Sequence, residues 1–298
     1  MVLVSFTINL SCDNLDSDKS RFKTNSSPAI TSVKILPENP NLESELNVFT
    51  QSQNPSGESV TYRYQWMKND EEIIGEDKNT LNRGNFRKGD LIRVKVTPSD
   101  GKGDGKPFLS DPVKILNSPP VIQEVWIEPK VPYVTDGLRA NVKSSDPDGN
   151  SIYYSYQWQK NGIVLDGETG EILKLGQFKK GDSIAVIVTP NDGESRGMPK
   201  KSVPTMISNS APLIVSSPPN KMVGNIYTYE VRANDPDNDP ITFTLMSAPK
   251  GMEINKEAGL IRWEIQKDDK GKHTVEVEVS DDSGAKSRQR YMLEVDVR

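Results

Sequence analysis

The sequence predicts an all-β fold made of three tandem β-sandwiches in an extended array. The main observation is a long internal repeat, since the block from Tyr62 to Gly101 returns without a gap as Tyr154 to Gly193, with roughly half of its residues identical. A fixed period of this length is typical of an array of whole domains. The composition agrees, because 34% hydrophobic residues with 21 Gly and 21 Pro suit short, half-exposed strands joined by turns.

Three junctions of similar composition divide the chain. They begin at Asn25, Asn117 and Asn209, and each continues with Ser and reaches a Pro within three residues. Proline fixes φ and keeps such a linker extended. We therefore expect an N-terminal segment of residues 1–27 followed by three domains, at residues 28–117, 118–209 and 210–298.

The second domain shows the strand pattern most clearly. Residues 137–145 show the alternation of a strand, and Ile152 to Lys160 places two Tyr and Trp158 on one face of the next strand. Residues 172–175 are expected to form a short strand, and the apolar run from Ser183 to Thr189 is typical of a buried strand. Asn161-Gly162 predicts a hairpin turn. A sandwich of about seven short strands with a Trp on the third resembles the immunoglobulin-like domain. The paired cysteines of antibody domains are missing, so the resemblance is to the wider superfamily.

The third domain differs in sequence from the first two but shows the same kind of strand and turn pattern. A strand is expected from Ile226 to Asn234. The residues that carry a second resemblance are the loop Asp235 to Asp239, the turn Pro249 to Met252, Gly259 to Trp263, and the strand Val275 to Val279 with the turn that follows it to Gly284. They resemble the cadherin-like, dystroglycan-type domains, also called "putative Ig" domains, of bacterial surface proteins. This resemblance covers residues 211–298 and implies another sandwich of the same class.

The net charge, the residue counts and the lack of certain motifs argue against several classes of function. A formal net charge of −5 and a sequence pI of about 5.2 lack the basic footprint of a nucleic-acid binder. One Cys and one His do not suffice for the ordinary zinc sites, and the chain contains no G-x-S-x-G motif and no Gly-rich phosphate loop. We therefore expect a protein that is not an enzyme and has no required cofactor, calcium excepted.

The N-terminal segment is apolar for eight residues and reaches Cys12 before a polar stretch. It resembles the end of a bacterial lipoprotein signal peptide, which implies that Cys12 becomes the lipid-modified first residue and that the membrane is reached only through this anchor. Asn9 stands where that family favours Leu, and no basic residues precede the apolar run. The alternative is an irregular terminus with a free cysteine.

Acidic residues cluster in loops of the second and third domains. The candidates are Asp146, Asp148 and Asp192 in the second domain, and Asp235, Asp237, Asp239, Asp281 and Asp282 in the third. In an immunoglobulin-like topology the loops that carry them lie at one end, beside the linker with Asn117 or Asn209. Calcium takes six to eight oxygen ligands. The resemblance to cadherin repeats implies calcium at these junctions, where it would stiffen the rod of domains.

The competing interpretation of these loops is a turn. Asp-Pro-Asp-Gly suits a turn because Asp caps backbone NH groups and Gly supplies positive φ. The first domain has Asn54-Pro-Ser-Gly57 at the equivalent place, which keeps the turn and loses both acids. The turn is thus the shared feature, and calcium is an addition in the two later domains.

The aromatic residues and one tripeptide also admit two interpretations. Trp66, Trp158 and Trp263 fit core positions, whereas Trp126 has no clear assignment. The pairs Tyr62–Tyr64 and Tyr154–Tyr156 share the Trp face, where they line the core or form a binding surface. Lys180-Gly-Asp182 is similar to an integrin-type tripeptide, but it leads into a buried strand, which favours a tight turn.

These features together predict a non-enzymatic protein of the bacterial cell envelope. It would be lipid-anchored in the membrane or exposed outside it, and would serve adhesion, scaffolding or interaction through a protein or cell-surface glycan partner. The alternative is a carbohydrate-binding accessory protein of the cell surface. A third possibility is an enzyme with an unrecognised pair of acids on these sandwiches.

Overall fold

A computed structural model of the protein describes residues 27–174, 176, 178–219 and 225–296. Within these ranges strands dominate, and the one helical element is a 3-10 turn at Lys267–Asp269. The chain divides into two compact units between Asn117 and Ser118. None of the described residues belongs to a helix that is long and apolar enough to span a membrane.

The first unit is a sandwich of two antiparallel sheets. Its strands are β1 (Ala29–Leu36), β2 (Leu46–Gln53), β3 (Thr61–Lys68), β4 (Glu71–Glu72), β5 (Thr80–Leu81), β6 (Leu91–Ser99), β7 (Phe108–Leu109) and β8 (Val113–Lys114). One sheet has the order β1-β2-β5, and the other has the order β4-β3-β6-β7 with β8 also paired to β6. Inward-facing residues of both sheets form one core around Trp66.

The second unit begins with a copy of this sandwich. Its strands are β9 (Val121–Glu128), β10 (Leu138–Ser145), β11 (Tyr153–Lys160), β12 (Ile163–Val164), β13 (Ile172–Leu173), β14 (Ser183–Asn191), β15 (Lys200–Lys201) and β16 (Thr205–Met206). The sheets have the orders β9-β10-β13 and β12-β11-β14-β15, with β16 on β14. Trp158 lies opposite Val186 as Trp66 lies opposite Val94, so the repeat in sequence is a repeat in register.

Each repeated Trp anchors its core in the same way. Trp66 and Trp158 are completely buried, and their indole NH groups donate to the carbonyls of Lys78 and Gly170, both at 2.9 Å. A buried indole needs such a partner because its one polar atom is removed from water. The hairpin predicted after β11 is also present, since Asn161 and Gly162 both have positive φ, of 53° and 82°.

The second unit continues into the third sandwich. Its strands are β17 (Leu213–Ile214), β18 (Ile226–Glu230), β19 (Ala233–Asn234), β20 (Ile241–Ser247), β21 (Glu253–Ile254), β22 (Leu260–Glu264), β23 (Gly271–Asp281) and β24 (Lys286–Val295). The sheets have the orders β17-β19, β18-β22-β21 and β20-β23-β24. Their inward faces enclose a core that includes Trp263 and Tyr227. The predicted all-β fold with three β-sandwiches is thereby confirmed.

The expectation of one strand from Ile226 to Asn234 was wrong, because this segment passes between two sheets. Strand β18 pairs with β22, whereas β19 pairs with β17. Between them the buried Val231 donates its NH to the carbonyl of Gly259 at 3.0 Å. A Cβ on Gly259 would lie 2.4 Å from the Val231 carbonyl, so this crossing needs the glycine.

Candidate functional site

The first acid of each acidic loop caps its own turn. Asp235 Oδ1 accepts the NH groups of Asp237 at 2.8 Å and of Asp239 at 3.2 Å. Asp146 caps the corresponding loop of the second sandwich in the same way. Asn54 accepts the NH of Ser56 at 3.2 Å in the first sandwich, without a charge. The turn is therefore one role of these loops, as the competing interpretation expected.

The second acid of each loop holds the linker that enters its domain. Asp237 Oδ2 accepts the NH of Ser210 at 2.6 Å, and Asp148 Oδ2 accepts the NH of Ser118, also at 2.6 Å. A carboxylate that accepts a backbone NH forms a strong, charge-assisted bond. Asp148 and Asp237 therefore fix the chain at the point where it enters each sandwich.

Lys180 connects the second sandwich to the third. Its Nζ donates to Asn209 Oδ1 at 3.2 Å and to Ser283 Oγ at 2.7 Å, and it lies 3.6 Å from Asp282 Oδ1. It also forms a close ion pair with Asp239. The hydrogen bond with Asp239 is the main reason why the pKa of Lys180 is raised above its ordinary value. One ammonium thus binds the linker and two loops of the next domain.

Asn209 completes this junction from the linker. Its amide Nδ2 donates to Asp281 Oδ2 at 2.7 Å, while Asp281 Oδ1 accepts the NH of Ala285 at 2.8 Å. Asp281 is buried, with 7% of its surface exposed. Burial raises the pKa of Asp281, but the hydrogen bonds from Asn209 and from backbone NH groups outweigh it, and the net pKa lies below the ordinary value.

Three of the predicted calcium ligands come together at this junction. Asp235, Asp237 and Asp239 each offer a carboxylate oxygen within 4.8 Å of the others, which within the described residues is the one such group. Asp235 Oδ2 and Asp237 Oδ1 are buried and have no hydrogen-bond partner. Buried carboxylate oxygens without partners are costly unless a cation balances them. The donor set therefore fits a calcium ion in type, although it supplies only part of a full coordination shell.

The other candidate residues have separate contacts. Asp281 and Asp282 face Asn209 and Lys180 and do not join the group of three. In the described part of the second sandwich, Asp146, Asp148 and Asp192 are not brought within the same distance of one another. Asp192 Oδ1 accepts the NH groups of its own turn, from Glu194 and Ser195. Cys12 lies outside the described residues, so its lipidation stays a prediction.

The sequence pattern predicts only a tight turn at Lys180 and gives no signal for Ser283. The turn exists, because Gly181 has a φ of 84°, but the lysine side chain leaves it toward the linker. The first repeat has the same contact, because Lys88 Nζ donates to Asn117 Oδ1 at 2.7 Å. A lysine and a linker asparagine repeated at one spacing indicate a contact that both repeats use.

The aromatic residues separate into core and surface. Trp66, Trp158 and Trp263 are buried, which confirms their core assignment. The four repeated tyrosines are half-buried and pack against the two cores. Trp126 is only partly buried and lies opposite Asn141, and its Nε1 donates to Glu128 Oε1 at 3.2 Å.

The fold defines this chain as a tandem array of immunoglobulin-like and cadherin-like sandwiches. Residues 205–296 match the model of the family described as "Putative Ig domain". This match confirms the resemblance of the third sandwich to that family. No curated protein sequence matched the chain.

Solved structures similar to this chain are other tandem arrays. The three N-terminal domains of the bacteriophage RB49 outer capsid protein Hoc are 16% identical, with 90% of this chain and 100% of that chain covered and a TM-score of 0.28. The eight N-terminal Ig domains of the Down Syndrome Cell Adhesion Molecule are 13% identical, with 91% and 37% covered and a TM-score of 0.42. Cadherin domains 3–6 of protocadherin gamma B2 are 14% identical, with 91% and 78% covered and a TM-score of 0.28. At these identities the likeness concerns the fold alone.

Proposed function

We propose that this chain is a non-enzymatic protein of a bacterial cell envelope, anchored by a lipid on Cys12. It acts as an adhesion or scaffolding rod that presents its sandwiches to a partner. The observation that supports this role best is the junction at Lys180, where the charged side chains join two sandwiches. An enzyme would instead be expected to gather such groups around a substrate cleft.

Calcium is part of this proposal at the junction between the second and third sandwiches. Asp235, Asp237 and Asp239 would hold the ion, with the free oxygens of Asp235 and Asp237 as its first ligands. A divalent cation would balance the charge of this acidic end more fully than the single ammonium of Lys180. The junction would then resist bending.

Fractionation of the producing cells tests the anchor. The full chain should partition into the detergent phase, and Cys12→Ser should release it to the aqueous phase, because the thiol that would carry the lipid is lost. Ser17→Ala in the same polar stretch is the matched control and should leave partitioning unchanged. Equal partitioning of the wild type and Cys12→Ser would contradict the anchor.

Carbohydrate binding is a second candidate for this surface protein. It is favoured by a groove of about 620 Å³ on the second sandwich, lined by Trp126 together with Glu124, Lys130, Lys200 and Lys201. An accessible aromatic ring beside polar side chains can stack on a sugar ring and bind its hydroxyls. Trp126→Ala should abolish retention on a polysaccharide column if this groove is used, and unchanged retention would exclude it.

A further inference from the structure

A second, smaller cavity lies on the outer face of the second sandwich. Its volume is about 300 Å³, and its lining includes Tyr153, Tyr154, Ser155, Thr189, Asn191 and Arg196. The strand register aligns three of these side chains in a row, because Tyr153 lies opposite Asn191 on β14 and Asn191 lies opposite Arg196 in an isolated bridge. Ser155 and Thr189 form the next row. Residues paired in this way point to the same face of the sheet.

The row joins an open aromatic ring to an unpaired cation. Tyr153 is 66% exposed, which is unusual for a tyrosine on a strand. The guanidinium of Arg196 has no hydrogen bond or ion pair within the residues that the structure describes. Asn191 lies between them, with its Oδ1 accepting the NH of Gly193 at 2.7 Å and its Nδ2 left as a donor. The hydroxyls of Ser155, which makes a long bond to the carbonyl of Thr189 at 3.5 Å, and of Thr189 lie beside this row.

The first repeat provides an internal comparison for this arrangement. There Arg63 and Asp104 form an ion pair with two bonds, of which Arg63 Nη1 to Asp104 Oδ1 measures 3.1 Å. In the second repeat Ser155 stands at the place of Arg63, and Arg196 stands at the place of Asp104. The cation has thus moved from β11 to the segment that follows β14, and the carboxylate that neutralised it is gone.

A third position changes with these two. Tyr153 occupies the place of Thr61, so the repeat that lost the ion pair also gained an exposed ring beside the free guanidinium. Two acids lie close to Arg196 in sequence, Glu194 and Asp192. Asp192 Oδ1 accepts the NH groups of Glu194 and Ser195, and within the described residues Arg196 forms an ion pair with neither acid. The three substitutions together create a place where a carboxylate from outside the chain can be bound.

We propose that this cavity binds a carboxylate-bearing sugar, such as a hexuronic acid unit of an acidic polysaccharide. Arg196 binds the carboxylate through two parallel hydrogen bonds, the geometry in which guanidinium groups recognise carboxylates best. The ring of Tyr153 stacks on the sugar, and Asn191, Ser155 and Thr189 bind its hydroxyls. This inference rests on the proposed role as a surface interaction protein and names its partner.

A sugar suits this cavity better than an acidic peptide. A carboxylate side chain would use Arg196 alone, whereas the hydroxyls of a sugar ring also use the three small polar residues that surround it. The cavity volume lies near the lower end of the range for ligand sites, which is enough for one ring of a chain that continues over the surface.

Titration of the purified full chain tests this inference. The probes are tri-galacturonic acid, maltotriose as a neutral sugar of the same length, and tri-glutamate as an acidic peptide. Saturable binding of tri-galacturonic acid is expected, with at least tenfold weaker binding of the other two. Arg196→Gln should weaken the binding of tri-galacturonic acid by about tenfold or more, since a charge-assisted pair is lost. Arg196 is exposed, so Arg196→Gln should fold, which a thermal scan verifies.

The first repeat supplies the decisive variants. The double change Ser155→Arg with Arg196→Asp copies the pair of Arg63 and Asp104 and should abolish binding, while Arg63→Gln removes a guanidinium elsewhere and should leave it intact. Equal binding of maltotriose, equal binding of tri-glutamate, or full binding by Arg196→Gln would each overturn the inference. A failure here would leave the lipid anchor untouched, because fractionation of Cys12→Ser measures that separately.

Discussion

Lys180 and Asp239 form an ion pair that joins the second sandwich to the third. The lysine comes from the turn before β14, and the aspartate comes from the loop after β19. This is the end of the third sandwich at which Asp235 and Asp237 leave two buried oxygens unpaired. The ammonium supplies part of the positive charge that this acidic end requires, so a metal ion and Lys180 would act on the same group of carboxylates.

Lys180→Met should lower the thermal stability of the second unit. The change keeps the length of the side chain but removes an ion pair and two hydrogen bonds at the junction. The effect should be modest and should shrink in high salt, because salt screens an ion pair that solvent partly reaches. Scanning calorimetry at low and high salt measures it.

The adjacent Lys179 provides the control for this prediction. It is exposed, and its side chain lies on the same turn. Lys179→Met should leave the unfolding temperature unchanged. If both variants lose stability equally, the loss comes from net charge rather than from the junction.

Asp235→Asn should remove most of a stabilising effect of calcium. An asparagine can still cap the turn through its Oδ1, as Asn54 does in the first sandwich. It replaces the unpaired Oδ2 with an amide NH2 group, which is a donor only and cannot bind a cation. We expect millimolar calcium to raise the unfolding temperature of the wild type, and to raise it much less in Asp235→Asn.

Two further variants test whether the calcium effect depends on this group of carboxylates. Lys180→Met should respond to calcium more strongly than the wild type, because the competing cation is gone. Asp146→Asn is the matched change in the second sandwich, where the acids do not form such a group, and it should respond like the wild type. A wild type that calcium does not stabilise would contradict the proposed metal site.

The sequence was sufficient for the features that repeat or alternate. The position of Trp158 on its strand, the turn at Asn161 and the capping role of Asp146 all depend on neighbours within a few residues. Lys180 was missed because its partners lie up to 103 positions away, in loops whose relative placement only the folded chain defines. The break between β18 and β19 was missed for the same reason, since it depends on a close approach of Gly259.

The sequence predicted which acidic residues belong to the candidate site, but not what each of them does. The acids were found from their clustering, but their separate roles were not, because a capping, a linker-binding and an ion-pairing carboxylate look alike in a sequence. Asp237 differs from Asp235 only in which backbone NH its oxygens meet. The cavity at Arg196 was likewise missed, although comparison with Asp104 at the same place in the first repeat could have revealed the change of charge.

Gly197→Ala should strongly destabilise the second sandwich. A Cβ at this position would lie 1.9 Å from the carbonyl oxygen of Pro120 and 2.8 Å from Cγ of Pro190. The carbonyl is fixed backbone, so the strand or the linker must move, at a cost of about 2 kcal/mol or more. Gly137→Ala is the control, because its Cβ would meet nothing within 4 Å. Urea unfolding of the full chain should show a clear loss for Gly197→Ala alone, and equal midpoints would contradict the close approach.

Acid should weaken the junction between the second and third sandwiches through Asp281. Its pKa is lower in the folded chain than its ordinary value of 3.8, so the unfolded chain takes up the proton first. Its contribution is therefore complete above about pH 4, and it is lost as the pH falls through the lower, folded pKa.

The unfolding temperature of Asp281→Asn should change less between pH 5 and pH 3 than that of the wild type, since the amide does not titrate. Asp282→Asn, an exposed neighbour, should keep the acid sensitivity of the wild type. Identical pH profiles for the wild type and Asp281→Asn would show that the bond between Asn209 and Asp281 does not depend on charge.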